Sequence, residues 1–301
     1  MARALQNHLD MRLLARDNAA MNTLLTLGHG YCAEELAARL IPQGWQVIGT
    51  ARTPARAADM AQAGVEALIY PCDLTPALAR ASHILISAAP TADGDVFLAE
   101  AGDAIRAARP KWVGYLSTTA VYGDHQGAWV DEDTPPKPQS GRATARVLAE
   151  YQWLATGLPV HIFRLAGIYG PGRGPFQKIR DGSARQIIKQ NQVFSRTHVQ
   201  DIAQVLAASI AAPHAGQIYN VCDDNPAPPE EVLCYAADLL GAPHPPKITF
   251  ETAVLPEMVR SFYAESKRIR NDKIKSALGV KLLYPTYQAG LTALLKSESL
   301  G

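Results

Sequence analysis

The chain is 301 residues long, with 48% hydrophobic residues and 29 Lys plus Arg against 28 Asp plus Glu. Such a chain buries a sizeable core and suits one large domain carrying a smaller lobe, while its near-neutral charge excludes a field that would draw the whole molecule onto nucleic acid or an anionic membrane. Cys32, Cys72, Cys222 and Cys234 contain no CxxC pair and no apolar run reaches the ~18 residues of a bilayer span, so no zinc cage, disulfide framework or membrane segment is expected; the expectation is a reducing, cytoplasmic setting and a small-molecule partner.

Leu5, Leu9, Leu13 and Leu14 recur among Arg3, Asp10, Arg12, Arg16 and Asp17, the pattern of an amphipathic helix over Ala2 to Ala20. Because a strand begins directly after Met21, residues 1–21 are expected to be an N-terminal extension that folding and ligand binding do without. From Asn22 short apolar runs alternate with helical patterns: Thr23 to Leu27, then Ala33 to Leu40; Gln46 to Gly49, then Ala55 to Ala63. The alternation continues through Glu66 to Ile69, His83 to Ser87, a helix over Val96 to Ala108, Trp112 to Ser117, a helix over Ala143 to Leu154, and Val160 to Phe163. This βαβ punctuation predicts an α/β fold, a Rossmann doubly wound parallel sheet with helices on both faces. After Arg164, Gly170-Pro171-Gly172 and Gly174-Pro175 break the pattern and open a loop-rich lobe. The run Asp201 to Ala211 and the strand Gln217 to Val221 return to the first domain. Pro226, Pro228 and Pro229 then open a helix that Pro243, Pro245 and Pro246 end, and the remainder reads as a small mixed lobe.

Gly28-His29-Gly30-Tyr31-Cys32-Ala33 follows the first strand and opens a helix, the setting in which a GxGxxA pattern holds a dinucleotide. Gly28 permits the tight turn, Gly30 lets a pyrophosphate approach the backbone at Tyr31, and Ala33 allows close packing of helix on strand. The second strand ends Gly49-Thr50-Ala51-Arg52, with no acid to meet a ribose 2′-hydroxyl. Arg52 either meets the 2′-phosphate of NADP or is a solvated surface residue; NADP is the expected cofactor and NAD the alternative. Asp73 either accepts from an adenine amino group or caps a helix.

Further motifs follow in order: Asp73-Leu74, Ser87-Ala88-Ala89, Ser117-Thr118-Thr119-Ala120-Val121-Tyr122-Gly123, Arg164 to Gly172, His198-Val199-Gln200-Asp201 and Tyr219-Asn220-Val221. With them the chain resembles the extended short-chain dehydrogenase/reductases, the NAD(P)-dependent sugar epimerases and dehydratases, and in particular their atypical members. The resemblance implies a cofactor across the carboxyl ends of the strands, touching Asp73, Leu74, Ala88 and Ala89, with substrate between the core and the C-terminal lobe. It places Thr118 at the catalytic Ser or Thr. The Asp-Glu pair of sugar dehydratases falls on Thr119 and Ala120, which disfavours elimination chemistry. The YxxxK signature falls on Arg142 and Arg146. Arg146 can still donate to ribose hydroxyls as the Lys does, and Arg142 either binds an anionic substrate or is an ordinary exposed helix residue. An Arg does not exchange a proton near neutral pH, so the candidate surrogate donor is Tyr122, less readily Tyr169, or a cleft water held by Arg142; either Tyr is alternatively a packing or positioning residue of its motif. His198 and Asp201 are expected to tie the returning helix to the sheet, and Arg173 to face the interlobe cleft. His29 and His125 have no ligand partners at metal spacing, so no metal is expected.

These readings divide the chain into an NAD(P)-binding domain over 22–169, with 198–224 returning to it, and a substrate lobe over 170–197 and 225–301. Two functions fit: an oxidoreductase or epimerase acting on a hydroxyl or keto group of a small polar, sugar-like or anionic substrate, or a catalytically silent NADP(H)-binding sensor. A homodimer is the assembly left open.

Overall fold

Leu24 and Leu25 are neighbours in the chain yet belong to different hydrophobic cores, because a strand sends successive side chains to opposite faces of its sheet. They lie in β1 (Thr23–Leu27), near the middle of a seven-stranded sheet in the computed structural model, which describes residues 22–298. The helix expected over Ala2 to Ala20 lies outside the described residues. After β1 come α1 (Tyr31–Leu40), β2 (Gln46–Ala51), α2 (Pro54–Gln62), β3 (Glu66–Ile69), α3 (Thr75–Arg80), β4 (His83–Ile86), α4 (Val96–Ala108) and β5 (Trp112–Thr118). A 3-10 turn, Thr119–Tyr122, and β6 (Trp129–Val130) lead to α5 (Gly141–Leu154) and β7 (Val160–Leu165). Then follow β8 (Gly167–Tyr169), α6 (Phe176–Arg180), β9 (Gln186–Ile188), β10 (Arg196–His198), α7 (Val199–Ala211) and β11 (Ile218–Val221). The C-terminal part holds α8 (Pro229–Leu239), β12 (Lys247–Thr249), α9 (Glu257–Phe262), β13 (Arg268–Ile269), α10 (Asp272–Leu278) and α11 (Tyr287–Glu298).

The sheet runs β11-β7-β5-β4-β1-β2-β3, parallel at every pairing. Strand order reverses between β1 and β4, so the connections leaving these two strands diverge to opposite faces and open a crevice at the carboxyl edge. One face is covered by α1 and α7 through Leu36, Ile202 and Leu206, the other by α3, α4 and α5 through Leu78, Ile105 and Trp153. Full burial of side chains this size stabilises the fold by roughly 1.5–3 kcal/mol each. The lobe has its own core, in which Phe176 of α6 packs with Val232 and Ala236 of α8 and Leu291 and Leu294 of α11.

Several boundaries differ from the pattern reading for local reasons. The helix expected from Ala143 begins at Gly141, because Ser140 accepts from the Ala143 amide at 3.2 Å and caps it. The strand expected to stop at Phe163 continues to Leu165, because β11 pairs with it as far as Val221. The short pairs β8 with β10, β9 with β12 and β6 with β13 join segments far apart in sequence and are too brief for periodicity to reveal.

Candidate dinucleotide and substrate site

At the carboxyl edge β1 is followed by Gly28, whose φ of +88° lies where side chains are strained, and its amide donates to Thr50 Oγ1 at 2.7 Å. A Cβ there would stand 2.8 Å from the Ala88 nitrogen, so the turns after β1 and β4 touch and only glycine allows it. Gly30 caps α1 in an extended conformation with no side-chain hydrogen bond, and a Cβ at this position would meet nothing within 4 Å. The space beside Gly30 is therefore open and the first turn of α1 has no side-chain cap, a setting in which free helix amides and the helix dipole favour an anion. Ala33 is fully buried in the core, which keeps α1 close on the sheet. His29 shares a 2.8 Å hydrogen bond with the Thr26 hydroxyl. Burial, helped by Arg56, pushes its pKa down to about 4, so this ring is a neutral structural group.

Arg52 is exposed directly beyond β2. One helical turn later Arg56 pairs with Glu34 and donates to the His29 carbonyl at 3.3 Å. Asp73 accepts from the Thr75 amide at 2.9 Å, and this bond holds its exposed carboxyl below the usual range. That bond spans two residues just ahead of α3, whose N-cap position is Leu74. Leu74 packs in the core and offers a ligand only its backbone; Ala88 is half-buried and Ala89 exposed beyond β4.

At the other end of the crevice, Arg146 on α5 donates through Nη1 to the Leu116 carbonyl at 2.6 Å, the Tyr115 hydroxyl at 3.2 Å and the Ala88 carbonyl at 3.4 Å. It ties α5 to the ends of β4 and β5, beside the turn that abuts Gly28. Thr118 is half-buried and accepts from the Ala120 amide at 3.2 Å. Arg142, exposed on the first turn of α5, donates to Ser261 Oγ at 3.2 Å and lies 5.7 Å from the Phe262 ring centre, so it touches α9 of the lobe.

Tyr122 takes the packing alternative open to its motif. Its side chain is fully buried, and its hydroxyl donates to Asn220 Oδ1 at 2.7 Å while Arg164 lies 4.8 Å from its ring centre. Burial raises its pKa to about 12 despite Arg164, and with the hydroxyl engaged by Asn220 this weighs against a surrogate-acid role. Tyr169 is likewise buried, in the lobe core. Beside Tyr122 sits a charged network: Glu150 accepts from Arg164 Nη2 at 2.7 Å and Nε at 3.2 Å, and also from the Ser117 hydroxyl.

A profile of the NAD dependent epimerase/dehydratase family matches residues 24–222, from β1 to just past β11. The chain belongs to that family. Protein YeeZ of Escherichia coli K12 is 32% identical to it over 244 residues, 75% of this chain and 86% of YeeZ. A 3-diazoavenalumate denitrifying reductase from Streptomyces sp is 31% identical over 181 residues, 54% of this chain and 58% of the reductase. The structure of a functionally unknown conserved protein from Silicibacter pomeroyi is 56% identical with a TM-score of 0.89, covering 92% of this chain and 99% of that one. Family membership and the open glycine turn together support a nicotinamide dinucleotide as the cofactor.

Within the family frame, other motif residues have structural work. His198 accepts from the Gln200 amide at 3.2 Å, capping α7, and Asp201 accepts from the Leu283 and Tyr284 amides at 2.6 and 3.0 Å, holding the segment before α11. Arg173 lies 4.9 Å from the Tyr31 ring centre, over α1. Pattern reading missed Glu150 as Arg164's partner, because a lone Glu inside a helix carries no signal until the strand holding its partner is placed beside it. Among the described residues no His, Cys, Asp or Glu group could hold a metal, and no helix is long and apolar enough to cross a membrane.

Proposed function

We propose that this chain is an NADP-dependent oxidoreductase or epimerase acting on a hydroxyl or keto group of a small, polar, anionic substrate. The observation that carries the reading is the uncapped, open first turn of α1 against Ala88, with Arg52 exposed where an acid would otherwise meet a ribose 2′-hydroxyl. Arg52 supplies charge-assisted donors to a 2′-phosphate. A bound nicotinamide supplies or accepts hydride. Arg146, held at the ends of β4 and β5, donates to ribose hydroxyls; Thr118 hydrogen-bonds the substrate oxygen; Arg142 exchanges Ser261 for the anionic group of the substrate. Because a guanidinium is no proton donor near neutral pH and the Tyr122 hydroxyl is engaged by Asn220, a cleft water held by Thr118 and Arg142 completes the proton transfer.

The test follows NADPH absorbance across a panel of keto acids and hydroxy acids. Expected is turnover of at least one anionic substrate, a fall of roughly tenfold to a hundredfold in Arg142→Gln, and little change in Tyr122→Phe once its folding is verified. A loss of about a hundredfold in Tyr122→Phe alone would remove the water from this role. The second reading, a silent NADP(H)-binding sensor, draws on the same two contacts, Tyr122 with Asn220 and Arg142 with Ser261, which together leave neither side chain free as a proton donor. Tight NADPH binding with no turnover anywhere in the panel decides for it.

A further inference from the structure

We propose that Arg173, carried by the loop that opens the substrate lobe, closes on the pyrophosphate of the dinucleotide from the side opposite the α1 amides, with the Tyr31 ring as its platform. The inference rests on the cofactor reading above and adds to it a contact from outside the βαβ unit. Gly170 and Arg173 exchange both backbone hydrogen bonds, at 3.0 and 2.9 Å, so Pro171 and Gly172 form a tight turn with Gly172 at φ +70°. The turn is pressed onto α1: Tyr31 donates its hydroxyl to the Pro171 carbonyl at 2.9 Å, and the Arg173 guanidinium sits 4.9 Å from the Tyr31 ring centre. Gly170 permits this approach, since at its φ of +150° a Cβ would stand 2.6 Å from the Tyr31 hydroxyl and 2.9 Å from Val199.

Tyr31 is the first residue of α1, directly after the uncapped Gly30. A guanidinium stacked on its ring is therefore held at the helix end whose amides attract an anion. The charge of Arg173 is felt there, since it favours ionisation of both Tyr31 and Cys32 against the opposing effect of burial. Among the described residues Arg173 pairs with no carboxylate. A planar fork of donors without an anion, beside helix amides without a cap, matches a diphosphate bridged from two sides.

The experiment titrates the full chain with NADPH by fluorescence, in wild type, Arg173→Gln and Arg173→Lys, with adenosine 2′-monophosphate as a competing probe that lacks the pyrophosphate. Losing a charge-assisted phosphate contact weakens NADPH about tenfold to a hundredfold in Arg173→Gln, Lys recovers part of the loss, and the 2′-monophosphate binds all three proteins alike. Hydrogen exchange adds a second readout: the amides of Gly170, Gly172, Arg173 and Gly174 slow on NADPH addition in wild type and those of Gly170, Gly172 and Gly174 do not in Arg173→Gln. Unchanged NADPH affinity in Arg173→Gln, or an equal loss for the 2′-monophosphate, overturns the clamp while leaving the cofactor reading standing. A wild-type chain that binds neither NADPH nor NADH overturns both.

Discussion

Removing the carboxylate of Glu150 should be among the most damaging single changes available in this fold. Arg164 is 2% exposed and Glu150 3%, so the pair sits in a medium where an unpartnered guanidinium is costly. Glu150→Ala strips Arg164 of its contacts from Nη2 and Nε, leaves Nη1 still without a partner, and orphans the Ser117 hydroxyl. Breaking a buried pair from one side costs about 3–5 kcal/mol. At about 2–4 °C per kcal/mol for a domain of this size, the melting temperature should fall by roughly 6–20 °C. Urea unfolding followed by tryptophan fluorescence measures the free energy, and Glu150→Leu combined with Arg164→Met supplies the control. Because the apolar pair removes both charges at similar volume, it should recover most of the loss, which treats the two residues as one unit. A Glu150→Ala cost below about 1 kcal/mol, or a double variant as unstable as the two single changes summed, would refute the reasoning.

Gly30→Val should leave the melting temperature nearly unchanged, since the new side chain points into open space, yet abolish NADPH binding by filling that space; a variant that still binds would sink the pyrophosphate assignment. Arg52→Ala should weaken NADPH about tenfold to a hundredfold and NADH hardly at all, by calorimetry; an equal loss for both would leave NADP preference without a basis. Asp223 is buried with Oδ2 unpartnered, and burial lifts its pKa from 3.8 to about 7 against the pull of Arg196. Between those values the folded chain holds a proton that the unfolded chain has lost, so this group's contribution to stability falls as pH rises through the interval. Asp223→Asn, which stays neutral, should therefore gain on wild type as pH rises to about 7 and keep a level advantage above that; a stability difference identical at about pH 5 and about pH 8 would show that the carboxyl is not shifted.

The chain's own pattern carried the sheet and the glycine turn. The alternation of β1, β2 and β3 with helices is a local signal, written in periods of two and 3.6 residues, and Gly28, Gly30 and Ala33 sit at spacings set by one turn of backbone. Arg52 was legible for the same reason, because its place follows from where one strand ends. The reacting end was not. Counting placed Arg142 and Arg146 on α5 but said nothing of their partners, and those come from β4, β5 and α9, remote in sequence. Tyr122 is a candidate acid in the sequence because the YxxxK positions hold Arg142 and Arg146. Only tertiary packing, which brings Asn220 of β11 and Arg164 of β7 against it, buries the ring and engages the hydroxyl. Arg173 follows the same logic: a Gly-Pro-Gly turn announces a loop, but the aromatic ring that loop lands on belongs to a helix some 140 residues earlier. Period and spacing are properties of neighbouring residues and survive in the linear chain, whereas the burial, charge pairing and stacking that decide what a side chain does are made by segments the fold alone brings together.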